Sequence, residues 1–276
     1  MKIALTGATG FVGRHILRAL IRKNLMVRVL VRDETILEPI AFGYDDLEVV
    51  NVKDIFSEDS CRLAKFLVGV DTLIHAAWYV NPSDYLNATK NLDCLKGTID
   101  LAIAFSQAGG RRFVGIGTCA EYATSAEMIT VDTQLRPSNL YAACKASAFQ
   151  VLTELYKLQR CSFSWCRLFY LYGEGEKTGR LVPYIRDRLS NCLEVELSSG
   201  NQVRDWLEVA AAADLIVERA LSNREGAYNV CSGIGVSVRD FATRVADEYG
   251  RTDLLRFGCH PDNPFDPPYV VGKKTE

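Results

Sequence analysis

The feature of this sequence that most constrains its fold is a glycine-spaced run near the N-terminus, Thr-Gly-Ala-Thr-Gly-Phe-Val-Gly, which contains Gly7, Gly10 and Gly13. An apolar β-type run (2–6) precedes it, and a segment with helical spacing of apolar residues (11–22) follows it. Glycines at such a junction allow a tight turn, close approach to a pyrophosphate and packing of the helix on the sheet. The spacing GxxGxxG departs by one residue from GxGxxG. We therefore predict a dinucleotide-binding turn rather than a purely structural one.

The rest of the chain alternates short apolar runs with amphipathic stretches. The pattern predicts strands at 26–31, 47–50, 72–75, 112–116 and 163–168, and helices at about 58–67, 84–107, 139–158 and 181–192. Parallel strands need long crossover connections, so this alternation indicates an α/β, Rossmann-type doubly wound parallel sheet. We expect a dinucleotide-binding domain over 1–168, which includes the helix at 139–158. Residues 169–276 are expected to form mainly a smaller substrate-binding lobe, with some segments returning to the Rossmann core.

Charge and cysteine content exclude several classes of protein. The 276 residues carry 32 Lys+Arg against 34 Asp+Glu, a net charge of -2, so no global field favours nucleic acid or an anionic membrane. The nine cysteines show no Cys-x-x-Cys and no nearby histidine, which predicts reduced thiols and no metal site. No signal-peptide pattern and no run of roughly 20 apolar residues is present. We expect a cytoplasmic protein.

The end of the second strand bears on the choice of cofactor. An NAD site usually carries an acidic residue there, whereas this chain reads Val31-Arg32-Asp33. Arg32 suits a 2'-phosphate and favours NADP(H), while Asp33 keeps NAD(H) possible. After the third strand, Asp54 and Ile55 are candidates for contact with adenine, although a plain loop is an equal interpretation.

A Tyr-x-x-x-Lys pair lies in the middle of the chain. Tyr141 and Lys145 are four residues apart and therefore share one face of a helix. A nearby ammonium favours the phenolate, so we expect Lys145 to lower the pKa of Tyr141 and to make it a usable acid near neutral pH. Thr118 ends the fifth strand, where its hydroxyl can bind the same substrate oxygen as Tyr141.

Together these residues resemble the extended short-chain dehydrogenase/reductases, the nucleotide-sugar epimerase/dehydratase/reductase superfamily. The resemblance covers most of the chain and adds His75-Ala-Ala, Leu171-Tyr-Gly, Arg180-Leu-Val-Pro and Arg204-Asp-Trp to the motifs above. It implies that Thr118 is the hydroxyl partner, that Tyr141 is the general acid/base, and that Lys145 holds the nicotinamide ribose.

The resemblance also implies the remaining site residues. Those expected to bind the cofactor, besides Tyr141 and Lys145, are Gly7, Thr9, Gly10, Phe11, Val12, Gly13, Arg32, Asp54, Ile55, Ala76, Ala77, Trp78 and Tyr170. Those expected to face the substrate are Cys119, Glu121, Arg180 and Arg204, with the two arginines on the diphosphate. His75 is interpreted as a packing residue, and Cys119 as a small buried thiol rather than a base.

Departures from the superfamily pattern narrow the expected reaction. The 4,6-dehydratases place an Asp-Glu pair after the threonine, where this chain has Cys119-Ala120, which argues against 4,6-dehydration. The segments at 75–80, 81–86 and 117–122 resemble reductases of nucleotide-bound 4-keto-6-deoxyhexoses, of the CDP-abequose synthase or dTDP-6-deoxytalose 4-dehydrogenase type. The leading hypothesis is an NADP(H)-dependent 4-ketoreductase. The alternatives are an NAD-dependent C4 epimerase of the UDP-hexose type and a non-catalytic dinucleotide sensor.

The resemblance implies two further properties. We expect a homodimer that forms through the helices at about 84–107 and 139–158. Relatives usually continue past a stretch like 261–264 into a last helix, whereas this chain stops at residue 276. We therefore expect a compact sugar-binding lobe rather than a second full domain.

Overall fold

The computed structural model describes residues 1–41, 43–124, 127–159 and 161–275. Its strands are β1 (Lys2–Thr6), β2 (Met26–Val31), β3 (Leu47–Asn51), β4 (Thr72–His75), β5 (Arg112–Thr118), β6 (Ser162–Leu168), β7 (Tyr170–Tyr172), β8 (Val195–Leu197), β9 (Val203–Glu208), β10 (Gly226–Val230), β11 (Gly235–Ser237), β12 (Leu255–Phe257) and β13 (Tyr269–Val270). Its α-helices are α1 (Phe11–Arg22), α2 (Glu38–Ala41), α3 (Ser60–Leu67), α4 (Lys90–Gln107), α5 (Leu140–Gln159), α6 (Leu181–Ser190), α7 (Val209–Leu221) and α8 (Val238–Asp247).

Seven parallel strands form the central sheet in the order β10-β6-β5-β4-β1-β2-β3. This confirms the predicted α/β doubly wound fold. The strand order reverses between β1 and β4, and ligands of open α/β sheets bind at the carboxyl edge of such a switch point. The glycine turn after β1 and the ends of β4 and β5 therefore lie at one edge.

Alternation along the strands builds a core on both faces of this sheet. Ile3 and Leu5 pack in the cluster that contains α1 and α7, whereas Ala4 between them packs in the cluster formed with α3, α4 and α5. Phe113 and Val114 divide between the two clusters in the same way. Successive side chains of a strand point to opposite faces, so a strand that is covered by helices on both sides needs apolar residues at every position.

The second half of the chain contributes to two regions. β7, β9, β11 and β13 form a four-stranded sheet, β8 pairs with β12, and a separate apolar cluster joins these strands to α6 and α8. Two elements of this half, β10 and α7, belong to the region of the central sheet instead. β10 is the edge strand of the central sheet beside β6, and α7 packs against α1.

Helix boundaries differ from the prediction in two places. The helix expected from residue 84 begins at Lys90, because 81–89 form successive turns in which Asn81 O accepts from Tyr85 N and Asp84 O from Ala88 N. α6 ends at Ser190 because Cys192 turns into the left-handed region at φ 54. Within the residues that the structure describes, no helix combines the length and apolar character that crossing a membrane requires.

Candidate active site

The turn after β1 depends on glycine at two positions. Gly7 has φ +74, and a Cβ there would lie 2.6 Å from Ala77 N in the segment after β4. A Cβ on Gly13 would lie 1.9 Å from Gly7 O, so this glycine lets α1 pack directly on the turn. Gly10 N–H donates to Gly7 O at 2.9 Å and closes the turn.

The N-terminus of α1 provides backbone donors for an anion. Gly10 is the N-cap and has no side chain to occupy the first N–H groups, which belong to Phe11, Val12 and Gly13. Thr9 O is held by Arg14 Nη2 at 3.1 Å. A 12-residue helix that begins with free donors and uncharged residues fits the pyrophosphate of a dinucleotide.

A buried histidine fixes the segment that faces this turn. His75 Nδ1 lies 2.8 Å from Thr6 Oγ1, and its Nε2 lies 2.9 Å from Thr98 Oγ1. Thr6 Oγ1 also accepts from Ala77 N at 3.3 Å. Burial, together with the charge of Lys145, lowers the pKa of His75 to about 3, so the ring is neutral. His75 is a packing residue, as expected, and it positions Ala76, Ala77 and Trp78.

The residues expected near the adenosine lie at the same edge of the sheet. Arg32 follows β2, is exposed, and makes no hydrogen bond or ion pair with any described residue. Asp33 accepts from the hydroxyl and N–H of Thr35, which lowers its pKa. Asp54 accepts from Phe56 N at 3.1 Å, and Ile55 is half-buried. Both carboxylates therefore stabilise local turns.

The structure brings Thr118, Tyr141 and Lys145 together. Thr118 ends β5, Tyr141 lies at the start of α5, and the two side chains are close enough for the threonine to act on the pKa of the tyrosine. Lys145 is buried one turn later, and its Nζ donates to Ile116 O at 2.6 Å. The same Nζ lies 3.8 Å from the centroid of the Trp78 ring, a cation–π contact.

The aromatic rings of Trp78 and Tyr85 both pack against Tyr141. Its backbone N–H donates to Leu86 O at 2.9 Å, which ties α5 to the turns at 81–89. The Tyr85 ring lies 5.0 Å from the Tyr141 ring, and Arg180 Cζ lies 5.6 Å from Tyr85. Tyr85 was not among the predicted site residues. It links Tyr141 to Arg180, and only the turns at 81–89 bring it there.

The acid–base properties of this group differ from the prediction. Desolvation, reinforced by Tyr85 and Glu121, raises the pKa of Tyr141 above its ordinary value, so the expected lowering by Lys145 is wrong. The physical reason is desolvation, which disfavours the phenolate. Burial also lowers the pKa of Lys145 to about 7, so this side chain loses part of its positive charge near neutral pH. Tyr141 therefore holds its proton and can act as a donor.

Cys119 and Glu121, which follow Thr118 in the 3-10 turn, have different surroundings. Burial raises the pKa of the Cys119 thiol to about 12, so it stays protonated and cannot be a base at neutral pH. Glu121 is completely buried and pairs with Arg167 through Nε at 2.7 Å. The expectation that Glu121 contacts substrate is wrong, because its carboxylate is enclosed by protein donors. Arg167, a charge within an apolar strand, was the sequence signal for such a buried pair.

The residues expected at the diphosphate have unequal exposure. Arg180 is exposed at the N-terminus of α6, whereas the side chain of Arg204 is 2% exposed. Arg204 Nη2 lies 2.7 Å from Asp266 Oδ1, and its Cζ lies 5.1 Å from the ring centroid of Tyr170. Asp266 was not predicted, since it is distant in sequence. Asp266 therefore occupies one nitrogen of the guanidinium in this structure.

The comparisons with known proteins agree with this arrangement. The model of the NAD dependent epimerase/dehydratase family matches residues 3–231. The chain belongs to this family. It is an enzyme of the extended short-chain dehydrogenase/reductase type, as the motifs predicted.

Among curated members of the family, dTDP-6-deoxy-L-talose 4-dehydrogenase (NAD(+)) from Aggregatibacter actinomycetemcomitans is 23% identical, over 99% of this chain and 100% of its own. CDP-abequose synthase from Salmonella typhimurium is 25% identical over 93% of this chain and 84% of its own. These are the two types of reductase that the segments at 75–80, 81–86 and 117–122 resemble.

Solved structures share the fold. UDP-N-acetylglucosamine 4-epimerase from Methanobrevibacter ruminantium superposes with a TM-score of 0.87 at 20% identity, covering 99% of this chain and 89% of that one. A dTDP-glucose 4,6-dehydratase from Streptomyces venezuelae, solved with NAD, superposes with a TM-score of 0.85 at 22% identity. The match covers 99% of this chain and 88% of that one.

Proposed function

We propose that this enzyme uses NAD(P)H to reduce the C4 ketone of a nucleotide-bound 4-keto-6-deoxyhexose. The observation that carries the proposal is the grouping of Thr118, Tyr141 and Lys145 at the sheet edge that also bears the glycine turn, with the Trp78 ring against both Tyr141 and Lys145. Two of the curated relatives, named for 6-deoxytalose and abequose nucleotides, support this substrate class.

The residues that would hold the cofactor fit a dinucleotide. The N–H groups of Phe11, Val12 and Gly13 would bind the pyrophosphate, and Ala76, Ala77 and Trp78 would line the ribose. Lys145 would reach the nicotinamide ribose. Reduced nicotinamide, when bound, supplies the hydride that adds to C4 of the sugar. The exposed guanidinium of Arg32 would pair with a 2'-phosphate, which is the basis for preferring NADP(H), although relatives are named or solved with NAD.

Tyr141 would supply the proton that the C4 oxygen needs. Because its pKa is raised, Tyr141 holds a proton that its O–H can deliver to the C4 oxygen as that oxygen becomes an alkoxide. The hydroxyl of Thr118 would hydrogen-bond the same oxygen and hold the ketone in line. Tyr141 regains its proton from solvent after the alcohol leaves, so the net reaction consumes one hydride and one proton.

The nucleotide diphosphate would lie between two arginines. Arg180 is exposed and near Tyr85, and Arg204 becomes accessible when Asp266 moves. A bidentate guanidinium suits a diphosphate. Cys119 and Tyr170 would border the sugar, the first by its position directly after Thr118 and the second by its position against Arg204. Residues 169–276 would thus form mainly the sugar-binding lobe.

The test is NADPH oxidation with a panel of dTDP- and CDP-4-keto-6-deoxysugars, with the product identified by NMR. We expect turnover of at least one sugar and its loss in Tyr141→Phe, which keeps the ring and removes the proton. Absence of turnover with the whole panel would reject the reductase. If Tyr141→Phe left a measured turnover unchanged, the role of Tyr141 would be wrong and a sensor function would gain support.

A C4 epimerase is the second candidate, since the chain is similar to a UDP-N-acetylglucosamine 4-epimerase in fold and to UDP-arabinose 4-epimerases in sequence. Such an enzyme would keep NAD bound and return the hydride to the other face of the sugar. Co-purified NAD that does not exchange, with turnover of a UDP-sugar without added cofactor, would favour it over the reductase.

A further inference from the structure

Glu121 lies in an unusual position for a carboxylate. It is fully buried, and its three donors are Thr118 N at 2.8 Å, Trp165 Nε1 at 3.0 Å and Arg167 Nε at 2.7 Å. Arg167 is only 1% exposed. A buried ion pair of this kind often adds little net stability compared with an apolar pair, so stability alone does not explain why a charge is placed here.

The carboxylate holds Thr118 at its backbone. Thr118 is the last residue of β5, and its N–H points to Glu121 Oε1. In return, Thr118 Oγ1 accepts from Ala120 N at 3.3 Å, so the two residues close a capping box around the short 3-10 turn at 119–121. Both the backbone and the hydroxyl of Thr118 are thereby oriented by the turn that carries Glu121.

Strand β5 itself has room for this carboxylate. A Cβ on Gly117 would lie 2.5 Å from Glu121 Oε1 and 2.2 Å from Trp165 Nε1. Only glycine at 117 lets both groups approach the strand directly beneath Thr118. The contact therefore depends on backbone space as well as on charge.

A rigid network anchors the other side of the pair. Arg167 Nη1 donates to the hydroxyl of Tyr122 at 2.8 Å, and that hydroxyl donates to Asn229 Oδ1 at 2.8 Å. The guanidinium lies between two rings, 4.5 Å from the centroid of Tyr122 and 4.4 Å from that of Phe149. Arg167 is therefore held on several sides, and it holds Glu121 in turn.

We propose that Glu121 is a positioning residue of the active site: its anchored carboxylate fixes the end of β5 so that the Thr118 side chain stays beside Tyr141. It does not touch substrate. The negative charge of Glu121 has a second effect that also supports the reaction. The carboxylate raises the pKa of both Tyr141 and Lys145, and so favours the protonated forms that a ketone reduction uses.

The test is Glu121→Gln, which keeps the side-chain length and an oxygen for Thr118 N–H but removes the charge. We expect the pKa of Lys145 to fall by about one pH unit, because an attractive charge is lost. The measurement is NMR titration of the protein labelled at 13Cε of lysine, with Lys145 assigned by its absence in Lys145→Met. This readout needs no substrate.

The kinetic part rests on the proposed reduction. We expect kcat to fall about tenfold in Glu121→Gln with little change in the nucleotide-sugar KM, since the effect reaches the sugar only through Thr118. Tyr122→Phe is the matched control. It removes one hydroxyl from the same network but keeps both rings around Arg167 and the bond from Arg167 to Glu121. Its melting temperature should therefore drop, while kcat falls much less than in Glu121→Gln and the Lys145 titration is retained.

Glu121→Gln leaves Arg167 as a buried unpaired charge and can prevent folding. In that case the double variant Glu121→Gln/Arg167→Met removes both charges and is tested in the same way. The proposal is overturned if the folded variant keeps the wild-type Lys145 titration and kcat, or if Tyr122→Phe loses kcat equally. If no sugar is turned over even by the wild type, the proposed function fails while the titration still tests Glu121.

Discussion

Lys145 makes the stability of this protein depend on pH in a way that can be measured. Its side chain is 3% exposed, and burial lowers its pKa from the ordinary 10.5 to about 7. Glu121 opposes this shift by a smaller amount. The folded protein therefore releases a proton near neutral pH that the unfolded chain keeps until much higher pH.

The sign follows from proton binding. Between about pH 7 and about pH 10.5 the unfolded state holds more protons than the folded state, so stability rises with pH, by at most about 1.4 kcal/mol per pH unit. Below that window both states are protonated and the contribution is flat. From about pH 6 to about pH 9 the rise in the free energy of unfolding that is due to Lys145 alone is about 3 kcal/mol.

The perturbation is Lys145→Met, which keeps an unbranched side chain and removes the titration. Urea unfolding of wild type and variant at several pH values in this range gives two free energies of unfolding. Their difference reports mainly on Lys145, because the thiols of Cys119 and Cys166, whose pKa values burial raises without any contribution from Lys145, titrate alike in both proteins. We expect the free energy of unfolding of the wild type to increase relative to that of the variant as the pH rises. A difference that is constant, or that shrinks with pH, would refute a neutral buried Lys145.

Three further outcomes are expected. Gly13→Ala should abolish NAD(P)H binding in fluorescence titration, since its Cβ would lie 1.9 Å from Gly7 O and force the turn away from α1; retained affinity would contradict the turn assignment. Arg32→Ser should raise the KM for NADPH about tenfold or more while the KM for NADH changes little, and equal effects would exclude 2'-phosphate recognition. Asp266→Asn should tighten binding of dTDP up to about fivefold by calorimetry, because the ion pair with Arg204 no longer competes, whereas weaker binding would show that Asp266 supports the site.

Local signals in the sequence were sufficient to predict the fold and to predict that Tyr141 and Lys145 lie together. Two of these signals are the glycines at 7 and 13, which lie in one turn, and the Tyr141/Lys145 pair, which lies on one helix face. Because the residues of each signal are close in sequence, their spacing alone predicts how they are arranged in space. Strands buried on both faces are apolar at successive positions, which makes them visible without any tertiary information.

The homodimer stays a prediction.

Long-range contacts decided the rest. Glu121 and Arg167 are 46 residues apart, and nothing in either segment states that they meet inside the protein rather than at the substrate. The sign of the Tyr141 pKa shift was wrong for the same reason, because desolvation depends on every chain segment that surrounds a group. The sequence by itself determined a Rossmann-type enzyme with a Thr118, Tyr141 and Lys145 group. Only the tertiary structure determined which charges are buried, and burial controls where the protons reside.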